Sequence, residues 1–480
     1  MPEFYGHVRR LLNHPEAAWI VDDIYRQVAT VQQKALLLRE WYGAEFAIFG
    51  KTKAAGVAPK ENVSADLKTI LEESPEKKKT IMQYLQQFIN QLVQKKMTGF
   101  TMLHDAMLQY FTNTTPGSSE ATEFLELLKS DLDEEQGGDL LKNLAFTKSG
   151  SKVVALALAY GTAKDRKLIL RVYKDTVELM AFDPNAHVVL LAAMDVIDDT
   201  KMTAKMLYPE LFGDNIKDDA ERQDRLLALI TNLTARIPIL YPIAGQSKWL
   251  LTDPDRAVVA EIHAIRATTS KKNEDVRRAE LASYLAPYLL PIVEARAADL
   301  ATVGFGCQFI TEVLLGLPQG DKLVAARAVA ALAAGDPTEP THIAHNPAAG
   351  KMLRALVSGG KFDFATNTVT LAEPRLGFGA VLLEHIQGRV VEWATTPSSF
   401  VVVALLESED VDAAAKKRVR DELVKGKKAL LKAAEGEGQG QSASKDKSVE
   451  GGKPAKNKKK AAAAEGPRGN AGARLLLEKL

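Results

Sequence analysis

Apolar residues recur three and four positions apart along most of this chain, with charged residues between them. This spacing places the apolar side chains on one face of an α-helix. It predicts helices at, among others, Leu67–Glu72, Ile81–Leu92, Met102–Phe111, Leu140–Phe146, Arg222–Ala235 and Val276–Leu289. The best strand-like alternation is Ala365–Leu371, which is too isolated to build a sheet. The pattern therefore predicts an all-α fold.

Many of these helices share an internal signature: a small residue, a variable position, a bulkier position and then apolar residues. The small residue lets two helices approach closely, and the apolar run fills the seam between stacked units. The signature occurs at Glu16–Asp23, Tyr42–Phe49, Thr98–Asp105, Ser149–Leu156, Asn185–Ala192, Phe305–Glu312 and Phe378–His385. Its irregular intervals centre near the roughly 35–45 residues of helical repeats. We therefore expect a superhelical α-solenoid of irregular, armadillo-like repeats.

The signature segments resemble the second helix of Pumilio (PUF) repeats. More specifically, the chain resembles the nucleolar Pumilio-like Penguin family in the stretches HPEAAWIVDDIYRQVAT from His14, WYGAEFAIF from Trp41, GSKVVALALAYGTAKDRK from Gly150, MDVIDDTK from Met194 and GFGCQFITEVLLG from Gly304. The segment His345–Phe364 resembles the C-terminal CPL region of that family. The resemblance extends from Glu3 to about Ala434. Since the chain begins inside a repeat, it is expected to be N-terminally shortened relative to the family.

The resemblance implies a function in the nucleus and nucleolus. It implies a role in large-ribosomal-subunit biogenesis through pre-rRNA processing, with mRNA translational repression as a secondary role. The implied partners are RNA (pre-rRNA and mRNA), double-stranded DNA and pre-ribosomal proteins. The protein would act as a monomer, without a cofactor and without a membrane.

We divide the chain into three regions. Residues 1–215 form Pumilio-like repeats, residues 216–434 form CPL-type repeats that continue the solenoid, and residues 435–480 form a basic low-complexity tail. The tail lacks apolar periodicity and is rich in Gly, Ala, Ser and Lys, which predicts disorder. Its end, Ala473–Leu480, regains an apolar stripe, which predicts a short helix that docks on the body.

The charge of the chain is unevenly distributed, although the formal net charge is only +1. From Lys416 to the C-terminus there are 18 Lys and Arg against 8 Asp and Glu, while the preceding residues hold 44 against 53. Because the body is net acidic, binding of phosphate would require one face on which the basic residues are gathered. The acidic excess is concentrated in residues 181–415. It favours the rival function, a HEAT- or armadillo-type protein-interaction scaffold that does not bind nucleic acid directly.

Base reading by such repeats needs hydrogen-bonding groups at the variable position and at the position four residues later. The corresponding pairs are Ala18 with Asp22, Ala44 with Ile48, Phe100 with His104, Ser151 with Ala155, and His187 with Leu191. None offers suitable groups at both positions, so we expect no base code. Trp19 is the one aromatic residue at a stacking position in these five repeats, and packing between helices explains it equally well.

The remaining mode of nucleic-acid recognition is contact between the phosphate backbone and positive side chains close to the signature helices. Such contacts give affinity without sequence information. The candidate nucleic-acid-binding residues are Trp19, Lys51, Lys53, Lys95, Lys96, Lys148, Lys152, Lys164, Arg166 and Lys167. Candidate nuclear-targeting residues in the tail are Lys456, Lys458, Lys459 and Lys460. The alternative for both sets is that they are ordinary solvated charges.

Catalytic and metal-binding chemistry is not indicated. The single cysteine, Cys307, excludes an internal disulfide, and its place in an apolar helix favours a packed thiol. His342 and His345 lack cysteine or carboxylate ligands in register for zinc. Asp198 and Asp199 fit helix capping or bridging better than magnesium binding. We find no P-loop and no complete dinucleotide-binding loop, so we expect neither enzyme activity nor a metal or cofactor.

Overall fold

The computed structural model describes residues 2–46, 64–130, 132, 137–363, 368–436 and 469–480. Over these ranges the chain consists of α-helices, three short 3-10 helices, one π-helical turn, short connections and one small hairpin, which confirms the all-α repeat fold. Packing divides it into two compact units. Unit 1 comprises Met1–Arg225 and Asn232–Tyr284, and unit 2 comprises Leu226–Thr231 and Leu285–Leu480. The three-region division made from the sequence rests on family resemblance rather than packing, and it stays a prediction.

The helices of the first part of the chain are mostly short. They are α1 (Val8–Leu12), α2 (Ala17–Asp23), α3 (Val31–Arg39), α4 (Leu67–Glu73), α5 (Lys78–Gln94), α6 (Thr101–Thr112), α7 (Ser119–Leu127), α8 (Asp139–Ala145), α9 (Lys148–Tyr160), α10 (Ala163–Val172), α11 (Val177–Phe182), α12 (His187–Val196), α13 (Thr200–Leu211), α14 (Asp219–Thr231), α15 (Arg236–Ala244) and α16 (Asp253–Thr269).

A long helix, α17 (Glu274–Thr302), follows and is bent at Arg296, whose φ of −124° is not helical. The remaining helices are α18 (Gly304–Gly316), α19 (Leu323–Ala331), α20 (Pro347–Ser358), α21 (Phe378–Ile386), α22 (Val390–Thr395), α23 (Phe400–Glu407), α24 (Ala413–Lys425), α25 (Lys427–Glu435) and α26 (Ala471–Glu478). Helix α26 confirms the docked terminal helix expected from the apolar stripe, since Ala473 and Leu476 are fully buried and α26 packs on α25. The low-complexity stretch before it lies outside the described residues.

The expectation that no sheet forms is wrong in one place. Strand β1 (Gly360–Asp363) pairs antiparallel with β2 (Thr368–Leu371), with Gly360 opposite Leu371. The second strand falls within the predicted Ala365–Leu371 stretch. The first was missed because four residues directly after a helix show too little alternation to be recognised.

The small residue of the signature has the structural role that the sequence predicts. A Cβ atom added at Gly306 would lie 2.1 Å from the carbonyl oxygen of Leu300, and one at Gly150 would lie 2.3 Å from that of Leu144. Only glycine therefore allows these signature helices to start so close to the preceding helix. In unit 1 the signature helix α9 also packs against α6 and α12, and the apolar runs of these three helices are buried in the core.

We predict that Gly306→Ala lowers the free energy of unfolding by about 1–3 kcal/mol, because the added methyl group meets backbone that can move little. Gly304→Ala is the matched control on the same helix, since a Cβ atom there meets nothing within 4 Å. The control should change stability by no more than about 0.5 kcal/mol. Chemical denaturation of both variants measures the difference, and equal stability would contradict the assigned role of the small residue.

Candidate nucleic-acid interface

In four of the five repeats, the positions where a Pumilio-type repeat would read a base are buried; in the remaining one Ala44 is exposed and Ile48 lies outside the described residues. Ala18 is fully buried, and Asp22 is 4% exposed and accepts a hydrogen bond from the Met102 amide at 3.0 Å. His104 is fully buried, with its ring nitrogens 2.8 Å from the Thr147 hydroxyl and 2.8 Å from the Thr98 carbonyl. Burial lowers the pKa of His104 to about 4, so the ring is neutral at pH 7. These side chains join neighbouring repeats instead of facing a ligand.

In unit 1, helix α16 lies across the signature faces of α9 and α12. Lys152 Nζ lies 2.8 Å from Glu261 Oε2, and His187 Nε2 lies 3.5 Å from Asp255 Oδ1. Two signature positions are therefore occupied by carboxylates of α16. A base or phosphate cannot reach these positions while α16 is in place.

A buried polar cluster holds α16 against α12. The Tyr241 hydroxyl donates a hydrogen bond of 2.6 Å to Asp195 Oδ2, and His263 Nε2 lies 2.9 Å from the same oxygen. Arg266 of α16 adds an ion pair of 3.6 Å to Asp195 Oδ1 and one of 2.7 Å to Glu274. Burial and the adjacent carboxylate raise the pKa of Tyr241 well above its usual value. Opening such a satisfied buried network would leave several polar groups without partners, which is costly.

Two of the predicted phosphate-binding residues, Arg166 and Lys152, form contacts within the protein instead. For Arg166 the prediction is wrong, because its side chain is only 3% exposed. Its guanidinium donates to the carbonyl oxygens of Leu158 at 2.8 Å, Val196 at 2.7 Å and Ala159 at 2.9 Å. Lys152 is half-buried on the covered face and is paired with a carboxylate of α16.

The exposed candidates of unit 1 fall into two groups. Trp19 is 55% exposed, and its ring packs edge-on against Phe100 with 4.7 Å between the centroids. Lys95 and Lys96 stand in the turn just before α6, and Lys148 is the first residue of α9; all three are exposed. We call Trp19, Lys95, Lys96 and Lys148 the edge cluster.

Contacts in unit 1 connect the chain segments that carry the edge cluster. The ring of Trp19 lies against Gly99, and Asn143 Nδ2 donates to the Thr98 hydroxyl at 3.0 Å. Lys95 donates to Asn13 Oδ1 at 2.8 Å. The segments before α6 and α9 are therefore in contact with each other, the segment before α6 also contacts Trp19, and the four side chains of the edge cluster are exposed.

Lys164 and Lys167 do not belong to the edge cluster. They are exposed on α10, beyond the far end of α9 from Lys148. Since α9 has 13 residues, the two groups are separated by about 20 Å along it. Lys51 and Lys53 lie outside the described residues, as do the tail lysines Lys456, Lys458, Lys459 and Lys460.

Sequence reasoning missed Asn143 and the acidic residues of α16. Asn143 stands five residues before the signature helix α9, in a segment that reads as an ordinary amphipathic helix. The role of Glu261 depends on contact with a lysine more than 100 positions earlier, and no local pattern signals it.

The groups considered for catalysis have structural roles. Cys307 is buried, and burial raises the pKa of its thiol to about 11. Asp199 caps α13 through the Met202 amide at 2.9 Å, and Asp198 pairs with Arg277 at 2.5 Å, which confirms their capping and bridging roles. The described ranges contain no group of three or more His, Cys, Asp or Glu placed to hold a metal.

In the same ranges no single helix is long and apolar enough to cross a membrane, and α14 and α15 reach that standard only when they are joined across a bend.

Comparison with known proteins supports the assignment made from the signature. A family model described as the CPL (NUC119) domain matches residues 231–369. Pumilio homology domain family member 6 of Schizosaccharomyces pombe is 32% identical over 400 residues, which cover 83% of this chain and 57% of that protein. The chain is therefore similar to Pumilio homology domain proteins, and it contains a segment that matches the CPL domain.

Two further matches agree with this similarity. Human Pumilio homolog 3 is 29% identical over 429 residues, which cover 86% of this chain and 59% of that protein. The chain thus spans less than two thirds of the length of these curated relatives. A crystal structure of human Puf-A in complex with DNA has a TM-score of 0.73 and 27% sequence identity, and it covers 90% of this chain and 77% of that one.

We predict that Arg166→Met lowers the free energy of unfolding by about 3 kcal/mol, because it leaves the buried carbonyl groups of Leu158 and Val196 without the side chain that donates to them. The neighbouring exposed Lys164→Met should change stability by less than about 0.5 kcal/mol. Thermal unfolding measures both. At temperatures where Arg166→Met is folded, its affinity for RNA should equal that of the unmodified chain. A loss of RNA binding without a loss of stability would instead show that Arg166 contacts phosphate.

Proposed function

We propose that this chain binds the sugar–phosphate backbone of RNA and of duplex nucleic acid along the edge cluster, without reading base sequence. One observation carries the proposal: α16 lies across the signature faces of α9 and α12 and leaves the neighbouring edge exposed. Nucleic acid that binds this side of unit 1 would meet Trp19 and the lysines, and it would not meet the groups that distinguish bases.

The chemistry of the edge cluster suits such a ligand. Lysine is a flexible, strongly hydrated point charge that binds phosphate in many orientations. An exposed tryptophan adds a surface on which an unpaired base of any identity can stack. Together they favour sequence-tolerant binding with a strong dependence on salt. The structure of human Puf-A in complex with DNA supports the inclusion of DNA among the ligands.

The biological setting that we propose follows from the family resemblance. The chain would act in the nucleolus in pre-rRNA processing for the large ribosomal subunit, together with pre-ribosomal proteins, and secondarily in mRNA translational repression. Lys456, Lys458, Lys459 and Lys460 would direct it to the nucleus. Accumulation of unprocessed large-subunit rRNA precursors on loss of the protein would support this setting.

We predict that Lys95→Glu combined with Lys96→Glu weakens binding to random single-stranded RNA, structured RNA and duplex DNA by at least about tenfold. If both lysines contact phosphate, the slope of log affinity against log salt should fall by about 1.4 for single strands and about 1.8 for duplex DNA. Fluorescence anisotropy over a salt series measures both quantities. Equal losses for unrelated sequences are expected, because the edge carries no base code.

The control is Lys78→Glu combined with Lys79→Glu, which makes the same charge change at the opposite end of α5, about 25 Å from Lys95. It should retain affinity. Equal loss in both variants would show a diffuse charge effect and contradict the edge cluster. Absence of binding by the unmodified chain at about 50 mM salt would favour the protein-interaction scaffold.

The variant Trp19→Ala tests whether the ring stacks on bases of the nucleic acid or only packs on Phe100. We expect it to weaken binding of single-stranded RNA by about fivefold or more and to affect duplex DNA less, because only unpaired bases can stack on the ring. A loss of thermal stability with unchanged RNA affinity would instead assign Trp19 to packing on Phe100. Anisotropy and thermal unfolding of the same variant distinguish these outcomes.

A further inference from the structure

A surface groove of about 720 Å³ lies between α10 and α13 in unit 1, away from the edge cluster. Each helix contributes four residues spaced i, i+3, i+4 and i+7, which places them on one helical face. On α10 and its C-terminal turn these are Lys167, Leu170, Arg171 and Lys174, and on α13 they are Met202, Lys205, Met206 and Pro209. The two faces line the groove as facing stripes.

The floor of the groove is apolar. Leu170 is buried, and Met202, Met206 and Pro209 are half-buried. Methionine side chains are flexible and polarizable, so they adapt to different apolar partners. Covering a floor of this kind with an apolar surface is favourable, because it removes apolar side chains from water. A solvated phosphate chain would cover little of this apolar surface and would stabilise the complex little.

The sides of the groove are basic. Lys167, Arg171, Lys174 and Lys205 are all exposed. Within the described part of the chain, none of these four side chains forms a hydrogen bond or an ion pair. They are therefore available to acidic groups of a ligand.

One end of the groove is acidic. Glu210 is held there by the amides of Asp175 at 2.8 Å and Val177 at 2.5 Å, and these bonds tie the C-terminal end of α13 to the turn after α10. Asp175 and Asp214 line the same end. Three carboxylates and two helix C-termini repel a continuous polyanion such as RNA, but they can accept the positive end of a short peptide helix.

We propose that this groove binds an amphipathic, acidic helix of a protein partner. Its apolar face would cover the methionine floor, and its flanking Asp and Glu side chains would pair with the four basic residues. A third helix fits between two neighbouring helices by the packing of ridges into grooves, and helix-in-groove binding of this type uses anchors at i, i+3, i+4 and i+7. The site is separate from the nucleic-acid interface, so both ligands could be bound together.

The test uses the full chain and a synthetic, end-capped peptide of about 14 residues, or about four helical turns. The peptide carries Leu at i, i+3, i+4 and i+7 with Glu beside them, and a scrambled peptide of the same composition is its control. We expect micromolar binding of the amphipathic peptide and at least about tenfold weaker binding of the scrambled one.

Two variants test the two parts of the groove. Arg171→Glu combined with Lys205→Glu reverses charge on both sides, and Met202→Ala combined with Met206→Ala removes the floor without adding charge. Each should weaken peptide binding by about tenfold or more and leave RNA affinity unchanged. Lys78→Glu combined with Lys79→Glu is again the charge-matched control and should bind the peptide normally. Circular dichroism establishes that each variant is folded.

Three results would overturn the proposal. The first is equal binding of the amphipathic and scrambled peptides. The second is unchanged peptide affinity in both groove variants. The third is loss of RNA binding in the charge-reversal variant with no loss in the methionine variant, which would assign the basic residues to nucleic acid.

Discussion

The contacts of the buried Asp195 carboxylate are the interaction on which the proposed nucleic-acid interface depends. Asp195 stands on α12 at 2% exposure and receives Tyr241 from α15 and His263 and Arg266 from α16. A charge so far from water is tolerated only when its lone pairs are satisfied, so these three partners are required once Asp195 is present. By satisfying that requirement, the chain holds α16 on the signature faces of its own repeats.

The position of α16 determines what this repeat fold can recognise. A Pumilio-type repeat with an open face offers side chains to base edges, but here Glu261 and Asp255 stand at that face in unit 1. We propose that recognition is thereby shifted to the edge, where Lys95 and Lys148 provide charge and Trp19 provides a ring. Under this proposal those groups would respond to backbone charge and to unpaired bases in general, which would explain how a net acidic body binds nucleic acid. The groove between α10 and α13 lies apart from this edge and presents different chemistry.

Much of the fold was predictable from the sequence because it follows from local patterns. Apolar spacing predicted the helices, and the small residue of the signature predicted the close contact that Gly306 makes with the preceding helix. The site was less predictable because charge alone does not indicate burial. Arg166 and Lys167 are adjacent and look equivalent in the sequence, yet one is buried among backbone carbonyls and the other is exposed. The contacts by which α16 covers the signature faces of α9 and α12 join residues more than 60 positions apart, and only the tertiary structure reveals them.

Hydrogen–deuterium exchange of the full chain with and without RNA tests the central claim most directly. If nucleic acid binds along the edge while α16 stays in place, RNA should slow exchange in residues 95–101 and 143–149 and around Trp19. Amides 255–266 of α16 should exchange at the same rate in both states, because the Asp195 cluster remains closed. Faster exchange of α16 on addition of RNA, with new protection of α9 and α12, would show that the helix is displaced and that the signature faces bind nucleic acid after all.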